Sequence, residues 1–409
     1  MAVAMLMASL GVQAQGNNSG MGGEQDNYKS LAERVLNLEK SNNKFNVYFN
    51  YTAAAQASDE QGPWQSRIAA KELRFEIMGH LTDRISYRFR HRLNKSNAAM
   101  SGDNFAKATD MMFVGYKIND QVEVAGGKVS QVWGGFEYDE NPMFIYQYSD
   151  FCEYLEIFFG GAYVTYKPVP SQEFVLEVTH TDNGSMNDYY GCKPVAVSEK
   201  HETKQLEQSR HPFTYIFNWN GNFVGNKLQT RWSAGLQTQA RGTYSKVLMC
   251  GQQLNLPRLQ WYFDYMERWD DVDRLGYPSK ELHAGNMLHL CADEPASIGD
   301  ASDDTGKYFT DTHFRSLVTK ARWTLSPKWK LMLKGMYDIA SVRKVEEYKN
   351  YRKALGFIGS LEFYPDRTQD FRLYLAYLGR HYDYSKRCGL PERNTTRIEL
   401  GMMYRMKCY

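Results

Sequence analysis

The chain has 409 residues and a net charge of +2, with basic residues spread along its length rather than gathered into one tract, which argues against a nucleic-acid partner. Beyond the N-terminus there is no run of about 18 apolar residues, so helical membrane spans are excluded. The 29 tyrosines and 21 phenylalanines stand in an otherwise polar chain, and the length suits either a few ordinary domains or one large closed sheet.

The first residues, MAVAMLMASLGVQAQG, form a short apolar run ending in small residues. Val12-Gln13-Ala14 fits the small-x-small cleavage rule, so residues 1–14 are expected to be a secretory signal. No Lys or Arg precedes the run, as when the true start lies further upstream. An ordinary buried N-terminal helix is the weaker reading, given the polar GNNSGMGGEQDN that follows. Residues 15–27 read as a polar linker. Residues 28–43 carry Leu31, Val35 and Leu38 at coiled-coil spacing over about two heptads, too few to be stable alone. The segment reads as a short oligomerisation helix or as a surface helix packed on its own domain.

From residue 44 to residue 409 the period is two. FNVYFNYT puts Phe45, Val47, Phe49 and Tyr51 on one face, and ELRFEI sets Leu73, Phe75 and Ile77 opposite Glu72, Arg74 and Glu76. FTYIFNWN, LQTRWSAGLQTQ, LQWYFDY, WKLMLKGMYD, GFIGSLEFY, FRLYLAYLGR and TRIELGMMYRM repeat the pattern, each long enough to cross about 25 Å of apolar thickness when tilted. Tight turns at HLTDR, KINDQ, KPVPSQ, NGNFVGNK, LSPKW and YPDRTQD alternate with longer polar segments such as 182–210. Short turns at one rim and long loops at the other predict an all-β fold, a transmembrane antiparallel β-barrel of about sixteen strands. The count is least secure over residues 267–310, where ELHAGNMLHL is the one plausible strand.

The stretch RISYRFRHRLNK then finds its place. Arg84, Arg88, Arg90 and Arg92 share a face with Ser86, while Ile85, Tyr87, Phe89 and Leu93 share the other, with His91 the polar exception. An arginine facing lipid near the bilayer middle costs about 2–4 kcal/mol, so the arginine face belongs to the lumen. The same parity turns Arg74, Arg231, Lys320, Arg322, Lys330, Lys334, Arg352, Arg372, Arg380, Arg397 and Arg405 inward, against Glu76, Glu123, Glu177, Asp338, Glu362 and Glu399. Basic residues lead by about two to one, and a column of guanidiniums in a wet channel offers an anion successive weak sites. The alternative is a lumen in which wall arginines pair with wall carboxylates and little selectivity results.

Residues 132–159, VWGGFEYDENPMFIYQYSDFCEYLEIFF, are too long and aromatic for a plain rim loop and are expected to fold inward and narrow the lumen, with Phe144, Tyr146, Tyr148 and Asp150 at the constriction. Its acids, Glu137, Asp139, Glu140, Asp150, Glu153 and Glu156, oppose anions if they face the pore; otherwise they form a solvated surface pairing with wall arginines.

These features together resemble the phosphate-selective porin O and P family, particularly its Bacteroidota members. ELRFEIMGHLTDRISYRFRHRLNK, VAGGKVSQVWGG, QWYFDY, LKGMYDIAS and EFYPDRTQDFRLYLAYLGR carry the resemblance by order and spacing. It implies a sixteen-stranded homotrimeric barrel in the outer membrane of a Gram-negative bacterium, in contact with its lipid, with an arginine ladder passing phosphate or related small anions. Arg84, Arg88, Arg90 and Arg92 look like ladder residues. The acidic inward segment is a departure, and so is the C-terminus, where Tyr409 falls opposite the outward Ile398, Leu400, Met402, Tyr404 and Met406 unless a terminal bulge restores the register.

No nucleophile elbow, HExxH or P-loop occurs, so no enzyme and no cofactor are expected. The acidic CADEPASIGDASDD lacks an EF-hand pattern and reads as a solvated loop rather than a metal site. Cys152, Cys192, Cys250, Cys291, Cys388 and Cys408 are too scattered for a disulfide framework. The expected function is passive diffusion of small anionic solutes; the alternative is a non-transport barrel serving as an adhesin or a subunit of an envelope assembly.

Overall fold

The computed structural model describes residues 44–60, 62–100, 102–190, 195–198, 203–282, 307–365 and 370–408. The expected signal peptide, linker and helix, and Tyr409, lie outside the described residues.

A closed antiparallel barrel of 16 strands makes the wall. Its strands are β1 (Asn46–Ser58), β2 (Gln65–His80), β3 (Ile85–Arg92), β4 (Thr109–Lys117), β5 (Val122–Ser130), β6 (Phe158–Val169), β7 (Gln172–His180), β10 (Phe213–Phe223), β11 (Leu228–Ala240), β12 (Thr243–Leu256), β13 (Leu259–Val272), β14 (Lys307–Ser326), β15 (Trp329–Val342), β16 (Arg352–Phe363), β17 (Phe371–Tyr384) and β18 (Arg393–Lys407). Two short strands, β8 (Val195–Val197) and β9 (Thr203–Gln205), form a hairpin outside the wall, so that β7 pairs directly with β10. β18 pairs with β1 in unbroken register from Tyr48 opposite Lys407 to Ser58 opposite Arg397, which closes the cylinder without a bulge near the C-terminal end. Closure leaves no unpaired sheet edge in the bilayer.

ELHAGNMLHL contributes no wall strand among its described residues: Glu281 ends a short helix, Leu282 follows it, and 283–290 lie outside the described residues. β13 pairs directly with β14, and the sixteen strands are complete without that segment.

Side chains alternate as the period demands. Phe217, Trp232, Phe263, Leu333, Leu355, Phe357, Leu375 and Leu400 are exposed on the outer face, where hydrocarbon replaces water as the surroundings. Arg74, Arg88, Arg231, Lys320, Arg372 and Glu399 are buried inside. The upper lumen is filled rather than open: Trp133, Phe136, Tyr138, Tyr146 and Phe151 of the segment after β5 pack on Met249, Tyr262, Met266, Met332 and Met336 of the wall.

Arg84 departs from its expected place. It lies exposed in the turn before β3, its N–H donating to Thr82 Oγ1 and its carbonyl accepting from Lys117 N. The turn between β2 and β3 takes residues 81–84, so the alternating reading began one residue too early. A second irregularity lies within β2, where Thr52 of β1 faces Glu72 and Ala53 faces Ala70, leaving Lys71 as an extra residue. This bulge inverts the inward parity of β2 beyond it.

Candidate solute passage

The inward segment runs from Gln131 to Ile157, between β5 and β6; Phe158 and Phe159 already belong to β6. It crosses the lumen because its backbone is pinned to the wall. Val132 N donates to Glu177 Oε2 at 2.7 Å, Gly134 N to Ser233 Oγ at 2.8 Å and Gly135 N to the Arg231 carbonyl at 3.0 Å. Phe136 and Glu137 both donate their N–H groups to the Asp264 carboxylate, at 2.9 and 2.7 Å. The two glycines are required by this approach. A Cβ on Gly134 would lie 2.7 Å from the Arg231 carbonyl oxygen, and Gly135 has φ of 89°.

The acids of this segment settle on wall cations. Asp139 meets Arg231 at 3.2 Å, Glu137 meets Lys334 at 2.6 Å, and Glu140 receives Lys320 together with Arg322. Asp150 bridges Arg352 at 3.0 Å and Arg380 at 2.7 Å. Tyr146 donates its hydroxyl to Glu362 at 2.7 Å, which also holds Arg372 at 2.7 Å; Phe144 lies under the Arg372 guanidinium at 4.7 Å. Burial pushes the pKa of Glu137 up, but Lys334 and the Ser149 hydroxyl and N–H outweigh it and hold the carboxyl below its ordinary value. Glu153 and Glu156 instead remain exposed.

Other wall cations have wall partners. Arg88 pairs with Glu76 at 2.6 Å, Arg90 and Arg92 with Asp110 at 3.0 and 2.8 Å, and Arg74 with Glu72 at 2.7 Å. Lys330 Nζ sits 4.6 Å from the Tyr364 ring centre. Asp110, Glu173, Asp264 and Asp270 also point inward, acids that the sequence reading did not count. The lumen is therefore closer to charge balance than the two-to-one excess expected.

One cavity that stays open, of about 560 Å³, lies between residues 146–154 of the inward segment and the ends of β1, β2, β17 and β18 nearest it; another, of about 550 Å³, lies by Arg92, Lys107, Lys128 and Glu156. The lining of the first carries Arg67, Lys71, Arg380, Arg393 and Arg397 against Glu60, Asp150 and Glu153, with Tyr146 and Tyr148 at its edge. Arg397 pairs with Glu60 at 2.8 Å and Glu399 at 2.7 Å, and Lys71 pairs with Glu399 at 2.9 Å. Of the cations that the sequence turned toward the lumen, Arg380 and Arg397 are brought to this opening. Arg67, Lys71 and Arg393 were missed. The signal for the first two was the shift of apolar residues in SRIAAKELRFEI from even positions, Ile68 and Ala70, to odd ones, Leu73 and Phe75.

A family model described as phosphate-selective porin O and P matches residues 44–406. The chain belongs to that family. No curated protein sequence matches it. Among solved structures, the outer-membrane channel DcaP of Acinetobacter baumannii is similar at 9% identity and a TM-score of 0.57, covering 90% of this chain and 99% of that one. Salmonella typhi OmpF in complex with daunomycin is similar at 10% identity and a TM-score of 0.56, covering 89% and 98%. OmpT of Vibrio cholerae is similar at 9% identity and a TM-score of 0.54, covering 90% and 99%. At such identities these likenesses speak for the fold alone.

The protein is thus an outer-membrane porin of a Gram-negative bacterium, a channel for passive diffusion. In this porin the inward segment does two things at once. It packs aromatics across the lumen, and its carboxylates neutralise cations of β11, β14, β15, β16 and β17. Among the described residues Cys152, Cys250, Cys388 and Cys408 are free thiols, and no cluster suited to a metal ion occurs.

Proposed function

We propose that this porin passes small anionic solutes, phosphate among them, through the opening between the inward segment and β1, β2, β17 and β18, and that it does so as a homotrimer. The observation that carries the reading is the cation excess of the lining, where Arg67, Lys71, Arg380, Arg393 and Arg397 outnumber Glu60, Asp150 and Glu153. In a narrow wet constriction a small excess of fixed charge sets the sign of the preferred ion. Arg74, Arg88, Arg90, Arg92, Arg231, Lys330, Lys334 and Arg372 line the inner wall elsewhere and, in this reading, act mainly by pairing, which keeps the preference moderate.

The test is the zero-current potential of purified protein in planar bilayers under a potassium chloride gradient. An anion-selective potential that shrinks in Arg67→Gln and Arg393→Gln is the expected result; a cation-selective potential defeats the reading. Mass measurement of the detergent-extracted protein tests the trimer.

A further inference from the structure

We infer that the opening favours ring-bearing organic anions with a phosphate or carboxylate head over inorganic phosphate. This rests on the anion passage proposed above and deepens it. At about 560 Å³ the cavity is in the size range of sites that take small organic molecules, about 300–1,000 Å³. A five-atom oxyanion leaves most of such a space to water.

The charges are arranged for a head group at one side rather than for an ion stripped of water on all sides. Lys71, Arg380 and Arg397 are each already engaged by carboxylates, so a solute anion meets them in competition. Arg67 and Arg393 are bonded instead to neutral acceptors, Arg67 to Gln56 Oε1 at 3.0 Å and Arg393 to the Glu60 carbonyl at 3.3 Å. Both are exposed, and the planar fork of each suits bidentate capture of a phosphate or carboxylate.

Beside these two cations stand aromatic rings that already hold guanidiniums and one another, the Tyr382 ring taking Arg352 at 4.8 Å and Arg380 at 5.5 Å and the Tyr154 ring packing on Tyr277 at 4.9 Å, yet Tyr154 keeps part of its face open to the cavity. Tyr148, Tyr154 and Tyr382 line the cavity; Tyr154 is 45% exposed, and the Arg393 guanidinium lies 5.4 Å from the Tyr382 ring centre. An apolar or sugar ring laid on a tyrosine face, with its anionic head on Arg393 or Arg67, uses both features together. Inorganic phosphate uses only the second.

The test titrates the chloride conductance of the purified porin in planar bilayers with glucose 6-phosphate, glucose and inorganic phosphate. The expected result is block by glucose 6-phosphate at a concentration about fivefold lower than by inorganic phosphate, with glucose alone much weaker than either. Tyr154→Leu and Tyr382→Leu should bring the two blocking concentrations together, and chloride conductance by each variant shows that it has folded and inserted. Equal block by the two phosphates in the native protein, or an unchanged ratio in both variants, overturns the inference. An anion-selective potassium chloride potential with equal block defeats only this inference, whereas a cation-selective potential defeats the passage reading beneath it.

Discussion

Asp150, on the inward segment, lies 2.7 Å from the Arg380 guanidinium of β17. The pair joins the long aromatic and acidic inward segment to the rigid wall, and it partly neutralises a cation that lines the opening. Arg380 keeps Asp338 as a further partner at 2.6 Å, and Asp150 holds Arg352 as well.

Asp150→Asn removes one negative charge at the opening and leaves Arg352 and Arg380 with less compensation. The zero-current potential should move toward anions. Thermal unfolding should show a loss, since breaking a buried pair from one side costs about 3–5 kcal/mol and Asp338 recovers part of it. An unmoved potential would mean that Asp150 is screened from the solute path.

Asp264→Ala takes away the acceptor of the Phe136 and Glu137 N–H groups. Each orphaned donor costs about 1–3 kcal/mol, enough to let the start of the inward segment leave the wall. Single-channel conductance should rise and become noisier. Native conductance in this variant would show that Glu177, Ser233 and the Arg231 carbonyl hold the segment by themselves.

Acidification should strengthen the anion preference. Part of the Glu153 side chain meets water, but desolvation of the rest by the segment and wall around it comes first, and then the charge of Asp150, in pushing its carboxyl above the ordinary value of 4.5, against the opposing pull of Arg380 and Arg397. A raised pKa means the proton is taken up as pH falls while still above that value, and the lining then loses a negative charge. Reversal potentials measured from neutral to mildly acid pH should drift toward anions, and Glu153→Gln should remove the drift. A drift toward cations, or a full drift in the variant, contradicts this.

Leu375→Arg places a charge on the outer face, where Leu375 is 53% exposed and stands between Leu361 and Leu400. The expected loss is about 2–4 kcal/mol in folding into lipid vesicles, measured by denaturant titration. A neutral result would place this row at the membrane interface rather than in hydrocarbon.

The opening shows why legibility was uneven. The parity of Arg74, Arg231 and Arg372 was readable because one strand period fixes which way a side chain turns. Arg84 was misplaced because a turn consumed it, and Arg67 and Lys71 were missed because a single extra residue in β2 reverses parity. The acids of 137–150 were readable as charges but not as partners, since their cations lie far off in sequence, 92 residues for Asp139 and Arg231 and 197 for Glu137 and Lys334.

The amino-acid order alone determined the barrel, its approximate strand number, its lipid face and the presence of an inward segment, because all of these follow from local periodicity and turn chemistry. The tertiary structure decided where the opening lies and which charges remain there. That choice depends on long-range pairing: Glu140 with Lys320, Glu137 with Lys334 and Asp150 with Arg380 each join distant parts of the chain. Only closure of the wall brings β18 against β1, with β2 on β1's other side, to set Arg397, Lys71 and Arg67 around one cavity.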